Sequence, residues 1–222
     1  MRVLQFGDSV LPVGGFSFSN ALESAVQENV VRDEAALREF VLAAVSRAAT
    51  SDGIALLEAH RGALDPDMDR VVAADKAVYE RKLSEETRTM TTRMGRKLAE
   101  VSLSAVCAPL VGQWLDRARH GLTPGTYPAG LGVLFAELGS PEADAFAVHQ
   151  YGVAMTTLSA ALRLMRVDHY QVQAILSAAS GKAPDDYAAV RGASLADMAG
   201  FAPMTDILGA IHVRSHVRMF MN

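Results

Sequence analysis

An all-α fold, a single-domain bundle of about ten helices, is what this sequence predicts, and three observations carry the prediction. Ala, Leu, Arg, Glu and Met recur from end to end, and such residues lose little on entering a helix. Apolar positions return every three or four residues in segment after segment, the period of one helix face. Alternating strand patterns and Asn-Gly hairpin signals are missing. At 222 residues the chain is long enough to bury a sizeable core. Residues 1–222 read as one domain, because the segments on either side of each loop have the same character.

The elements follow in order. Gly14 and Gly15 in LPVGGFSFSNALESAVQ mark a tight turn. Ser19 or Asn20 caps the helix after it, with Leu22, Ala25, Val26 and Val30 on one face. Asp33 opens a second helix whose stripe is Leu37, Phe40, Val41, Ala44, Val45 and Ala48. It runs on to Arg61 or breaks near Asp52-Gly53. Asp65-Pro66-Asp67 stops it and starts the next, through Val71, Val72, Lys76 and Val78. Ser84 caps a longer helix lined by Met90, Met94, Leu98, Val101 and Ala105, and Pro109 resets the chain for a short one around Val111, Trp114 and Leu115. Residues 120–130, HGLTPGTYPAG, read as the longest loop because Gly and Pro interrupt them repeatedly. Ser140-Pro141-Glu142 is a helix start. The AFAVHQYGVAMTTLSAALRLM stretch that follows is apolar around much of its circumference and reads as the central buried helix. Asp168, Pro184 and Pro203 open the last three.

Composition removes several classes of function. Half the residues are hydrophobic, yet no uninterrupted apolar run approaches the roughly 18 to 20 residues that span a bilayer. Asp8 interrupts MRVLQFGDSV, which does not read as a secretory signal. With a net charge of −4 and no basic run, a nucleic-acid partner has no support. These features together read as a soluble cytoplasmic protein. The single cysteine, Cys107, excludes an internal disulfide and reads as a small buried apolar residue. A phosphate loop has no support either, since no Lys-Ser or Lys-Thr follows Gly14-Gly15.

Few groups suggest chemistry. His212 and His216 stand four apart, the spacing of two metal ligands on one helix face. Two ligands are not a site, however, and Arg214 and Arg218 disfavour a cation. Among the other histidines, His149 reads as a hydrogen-bonded core residue, and His60, His120 and His169 as structural or exposed. Glu85-Glu86 and Asp185-Asp186 fall in expected first helical turns, where acids complement the helix dipole. Met90 and Met94 read as core. No nucleophile elbow is present. The termini are more suggestive. Phe16 and Phe18 lie among serines, and the tail IHVRSHVRMFMN combines Arg with Met and Phe, residue types that dominate interface energetics. Such a tail either docks on a partner or folds back on its own domain.

Three blocks carry a family resemblance. Leu11, Pro12, Val13, Gly14, Gly15, Phe16, Ser17, Phe18, Ser19, Leu22 and Glu23 match the opening signature of the urease accessory protein UreF family. Arg88, Met94, Gly95 and Leu98 in RTMTTRMGRKL match a second block. Arg218-Met219-Phe220, with His212 six residues ahead, matches the family's ending. The chain departs from the family pattern at Thr126, at Arg166 to His169 and at Val213. The resemblance implies an all-helical homodimer without enzymatic activity or cofactor, acting in nickel loading of apo-urease. It implies a bridge between a UreD/UreH-type accessory protein and the GTPase UreG, with regulation of GTP hydrolysis. The implied partner-binding residues are Phe16, Ser17, Phe18, Glu23, Arg88, Met94, Gly95, His212, Arg218 and Phe220. They lie largely in or near two docking segments, the loop 1–18 and the tail 211–222. Two rival readings are a small helical metal-binding protein built on His212 and His216, and a UreF-like maturation factor for another enzyme.

Overall fold

The computed structural model describes residues 2–214 and 218–221, with Arg214 described by its backbone alone. Its helices are α1 (Arg2–Phe6), α2 (Leu22–Gln27), α3 (Glu34–Ala48), α4 (Ile54–Leu64), α5 (Met68–Arg81), α6 (Glu85–Ala105), α7 (Pro109–Arg119), α8 (Tyr127–Glu137), α9 (Glu142–Leu164), α10 (His169–Val190) and α11 (Pro203–Arg214). The fold is all-α, and no strand occurs among the described residues. Expected caps are in place: the side chains of Asp33, Ser84 and Asp168 accept from the backbone N–H groups of Ala36, Thr87 and Gln171. Pro109 opens α7, whose exposed first N–H groups are closed from another helix, as the Glu137 carboxylate accepts from Leu110 N and Val111 N.

The central helix is α8, not the long apolar stretch of α9. Residues Pro128 to Ala136 of α8 are all buried, whereas α9 buries one face. The reading of residues 120–130 as loop is therefore corrected: the loop ends at Thr126, and Tyr127-Pro128 begin α8, where proline's missing N–H has no helical partner to lose. The glycines of this helix serve close packing. A Cβ at Gly132 would collide with the Leu56 carbonyl oxygen of α4, so only glycine lets α4 and α8 cross this closely.

Two apolar clusters share the interior. The larger gathers α4, α5, α7 and α8 with Phe6, Trp114, Phe135 and Phe146. The smaller gathers α2, α3, the second half of α9, α10 and the tail residue Phe220. Helix α9 spans both, contributing Ala145 and Phe146 to one and Ala154, Leu158, Ala160 and Ala161 to the other.

Helices α3 and α4 run into one another through a π-helical turn, Ala49–Gly53, so the expected alternatives resolve as a continuous helix with a local widening. The widened turn places Gly53 against the Phe146 ring and directs Asp52 to the Lys82 ammonium at 2.6 Å. The combined helix Glu34–Leu64 is long and apolar enough, by length and composition alone, to cross a membrane. Charged residues interrupt it at Arg38, Glu39, Arg47, Asp52 and Glu58, so it is not an uninterrupted apolar run. Its packing against α5, α8 and α9 is that of a core helix.

Other expectations also yield to packing. Helix α10 passes through Pro184 to Val190, so Asp185-Asp186 lie within a helix rather than in a first turn. Buried Ala179, Ala183 and Val190 hold α10 in place on both sides of the proline, outweighing the interruption it imposes. Cys107 is exposed, because the break between α6 and α7 turns Ala108 inward instead. Helix α2 stops at Gln27, leaving Val30 exposed. At the expected start of α9, Ser140-Pro141-Glu142, the cap residue is Pro141. The face that α6 buries is Thr91, Gly95, Leu98, Ala99 and Ser102, one position round from the expected methionine stripe.

A buried aspartate missed in the sequence fixes the middle of the molecule. Asp75 on α5 is 0% exposed and accepts from Trp114 Nε1, Thr123 Oγ1, Gly125 N and Thr126 N at 2.7–3.1 Å. It thereby pins the α7–α8 connection. Gly95 of α6 lies directly against this connection, where a Cβ would collide with the carbonyl oxygen of Gly125.

Candidate functional site

The opening loop solves a local problem with its glycines. Gly14 takes φ of 87°, a conformation that side chains other than glycine's rarely adopt. A 3-10 turn over Gly15–Ser17 then sends successive aromatics in opposite directions. Phe16 is 73% exposed, while Phe18 is buried. Asn20 and Ala21 both take positive φ, and the Asn20 amide holds that bend by donating to Thr157 Oγ1 of α9. Ser19 Oγ accepts from Glu23 N at the start of α2. The consequence is a buried Glu23 in the first turn of α2.

The C-terminal tail closes onto Glu23. Its Oε1 accepts from Met219 N at 2.7 Å and its Oε2 from Phe220 N at 3.1 Å. His212 of α11 meets the same Oε2 through Nε2 at 3.0 Å, and its Nδ1 lies 3.1 Å from Glu86 Oε2 of α6. The other Glu86 oxygen accepts from the Arg218 guanidinium at 2.9 Å. Burial pushes the Glu23 carboxyl up, but the Met219 N–H, His212 and the Phe220 N–H outweigh it and hold the group below its ordinary range.

The tail also pairs with the opening loop. Met221 N donates to Ser17 O. The Arg163 guanidinium of α9 lies 4.0 Å over the ring of buried Phe220 and donates to Phe16 O. Arg93 of α6 reaches Met221 Sδ at 4.0 Å. The result is one composite surface in which exposed Phe16, Met219 and Met221 are rimmed by Arg93, Arg163 and Arg218. Large apolar side chains among arginines are the composition of an interface centre.

The residues implied by the resemblance divide by depth. Phe16 and Arg218 are exposed and Ser17 and Met94 half-buried. Phe18, Glu23, Gly95, His212 and Phe220 are buried and give the surface its shape. Arg88 serves the body of the protein, over the Tyr79 ring and donating to Lys82 O. Gly95 faces the α7–α8 connection instead of the tail. His216 lies outside the described residues. Both ring nitrogens of His212 face carboxylates, and no cluster of three or more His, Cys, Asp or Glu suited to a metal ion occurs among the described residues. Glu86, Arg163 and Arg93 were not legible as site residues. Glu86 carried a signal, as one of a carboxylate pair, but the helix dipole accounted for it fully.

Behind the loop lies a cleft of about 140 Å3 whose walls include Gly15, Phe16, Met90, Met94, Tyr127 and His149. The expectation of a hydrogen-bonded His149 is corrected: it is buried, and its Nδ1 has no partner. Burial drives its pKa down to about 4, against the opposing pull of Asp52. Burial likewise pushes Tyr127 up to about 12.

Comparison with known proteins assigns the family. The family model for UreF matches residues 31–180. The chain belongs to the UreF family. Over all 222 residues it is 56% identical to urease accessory protein UreF 2 of Brucella canis, covering 91% of that protein. It is 55% identical to urease accessory protein UreF 1 of Brucella melitensis, covering 92%, and 47% identical to urease accessory protein UreF of Yersinia enterocolitica, covering 97%. The resemblance read from three short blocks thus holds at the level of the family. The matched span runs from the segment before α3 into α10 and leaves both termini outside it, but the relatives align along the whole chain, termini included.

Proposed function

We propose that this chain is a urease maturation factor: a non-enzymatic cytoplasmic scaffold that bridges a UreD/UreH-type accessory protein and the GTPase UreG. In this reading it acts as a homodimer, regulates GTP hydrolysis and so times nickel insertion into apo-urease. Family membership supports the general role. The observation that carries the surface assignment is the joining of the two termini around Glu23. The two end blocks that resemble the family lie far apart in sequence, and they meet in one patch of Phe16, Met219 and Met221 edged by arginines. The UreD/UreH-type partner docks on that patch.

Co-expression with a UreD/UreH-type protein tests it. The wild-type chain should co-purify, and Phe16→Ser and Arg218→Ala should each reduce recovery of the partner at least about tenfold, the effect of losing one interface anchor. Both side chains are exposed, so circular dichroism should be unchanged. Undiminished co-purification of both variants would remove the surface from the proposal.

A further inference from the structure

We infer that closure of the tail is gated by a proton on His212, so that the composite surface assembles when this imidazole is charged and comes apart when it is neutral. The inference deepens the reading of the tail as a docking surface and rests on it for its biological meaning, though the gate itself is a property of the isolated chain.

The geometry contains the switch. His212 is fully buried, and each ring nitrogen faces a carboxylate oxygen, Glu23 Oε2 at 3.0 Å and Glu86 Oε2 at 3.1 Å. Carboxylates only accept hydrogen bonds, and a neutral imidazole carries a single N–H. Only the imidazolium satisfies both contacts. In the neutral ring one nitrogen lone pair points at a carboxylate oxygen, that of buried Glu23 or of half-buried Glu86, an arrangement without a donor.

The surrounding charges are those the gate needs. From α2 comes Glu23, from α6 Glu86, and from the tail Arg218, which reaches the site through Glu86. On α11 itself, Asp206 pairs with Arg47 of α3 and stands apart from the imidazole. Arg163 of α9 faces Phe220 and Phe16 O. Among the described residues, two carboxylates and one guanidinium leave the cluster one positive charge short, which the imidazolium supplies.

Release propagates to the surface by direct bonds. Glu23 Oε2 is shared by His212 Nε2 and Phe220 N, and its partner oxygen holds Met219 N. In either neutral tautomer, loss of the imidazolium leaves the buried Glu23 charge without the cation beside it; the relief is hydration, and hydration requires that the tail amides move away. The surface formed by Met219, Met221 and Phe16 then loses two of its three apolar members.

The test uses the full chain carrying Cys107→Ser and Met219→Cys, labelled at the new thiol with an environment-sensitive fluorophore and titrated from about pH 5.5 to about pH 9. The expected result is tail release rising with pH, by as much as about tenfold per pH unit for one linked proton, with constant circular dichroism. His212→Gln, whose amide cannot donate on both sides, should remove this dependence and leave the tail open throughout. If that variant fails to fold, Glu86→Gln gives the second reading. It removes one of the charges facing the imidazole and should move the midpoint of release to lower pH. A flat wild-type titration, an unchanged profile in His212→Gln, or an unmoved midpoint in Glu86→Gln would each overturn the gate. The docking proposal is judged separately by partner capture: a flat titration with intact capture rejects the gate alone, whereas a proton-dependent tail without capture rejects the docking surface alone.

Discussion

Two buried carboxylates anchor this molecule, Asp75 in the middle and Glu23 near the ends, and they differ in what they hold. Each accepts from two backbone N–H groups and from side chains. Asp75 takes its donors from Trp114 and from the connection between α7 and α8, all enclosed within the larger core. None of those donors changes charge near neutrality. Glu23 takes its donors from the last residues of the chain and from a histidine. The same device therefore gives a fixed joint in one place and an openable one in the other. What decides the outcome is whether the donors can leave without unfolding the rest and whether one of them can lose its proton.

The largest effect should come from breaking the inner anchor. Asp75→Ala leaves four buried donors without an acceptor and should lower unfolding stability by about 4 kcal/mol or more, measured by denaturant titration. A loss under about 1 kcal/mol would mean that the inner anchor is not the fixed joint described here.

Acid should stress the inner half next, through His149. Its pKa is about 4 in the folded chain against an ordinary value near 6.5, so the unfolded chain binds the extra proton first. The stability it contributes is whole above about pH 6.5 and is lost as pH falls toward about 4, on the order of 3 kcal/mol. His149→Gln should flatten that part of the stability profile; a wild-type slope in the variant would place the dependence elsewhere.

Breaking the outer anchor should separate local from global effects. Glu23→Gln keeps an oxygen for one tail contact and loses the charge, so global stability should fall by only about 1–2 kcal/mol. Hydrogen exchange at the Met219 and Phe220 amides should nevertheless rise to the rate of an open tail. Equal loss of protection in α8 would show that the two anchors belong to one cooperative unit.

The smallest change in stability belongs to Arg218→Ala. Its pair with Glu86 is partly exposed, and such pairs contribute under about 1 kcal/mol. Thermal unfolding should barely move while partner capture falls. A large drop in melting temperature would make Arg218 a structural residue.

Much of the fold was legible residue by residue. Asp33, Ser84 and Asp168 announced their helices because a short acceptor before an apolar period acts locally. Pro184 misled for the complementary reason: its effect depends on what packs against α10 on either side. Gly130 of α8 fell within the loop reading, since sequence does not show that the Trp114 ring lies against it. At the site, Gly14, Phe16 and the tail stood out by residue type. Arg163 did not, and neither did Asp75 in the middle of the molecule, because an isolated charged residue in a helix reads as a solvated face until its partners are known; Glu86 was one of a pair that the helix dipole already explained.

By itself, then, the sequence determined the helical class, the caps at Asp33, Ser84 and Asp168, the paired glycines of the opening turn and the chemical character of both ends, each a matter of neighbours within a few residues. Tertiary structure alone decided that α8 is the centre, that Phe18 turns inward while Phe16 turns out, and that Glu23, Glu86, His212 and Arg218 form one cluster. Those contacts join residues more than a hundred positions apart, and a hydrogen bond is set by distance in space, which periodicity along a chain does not encode.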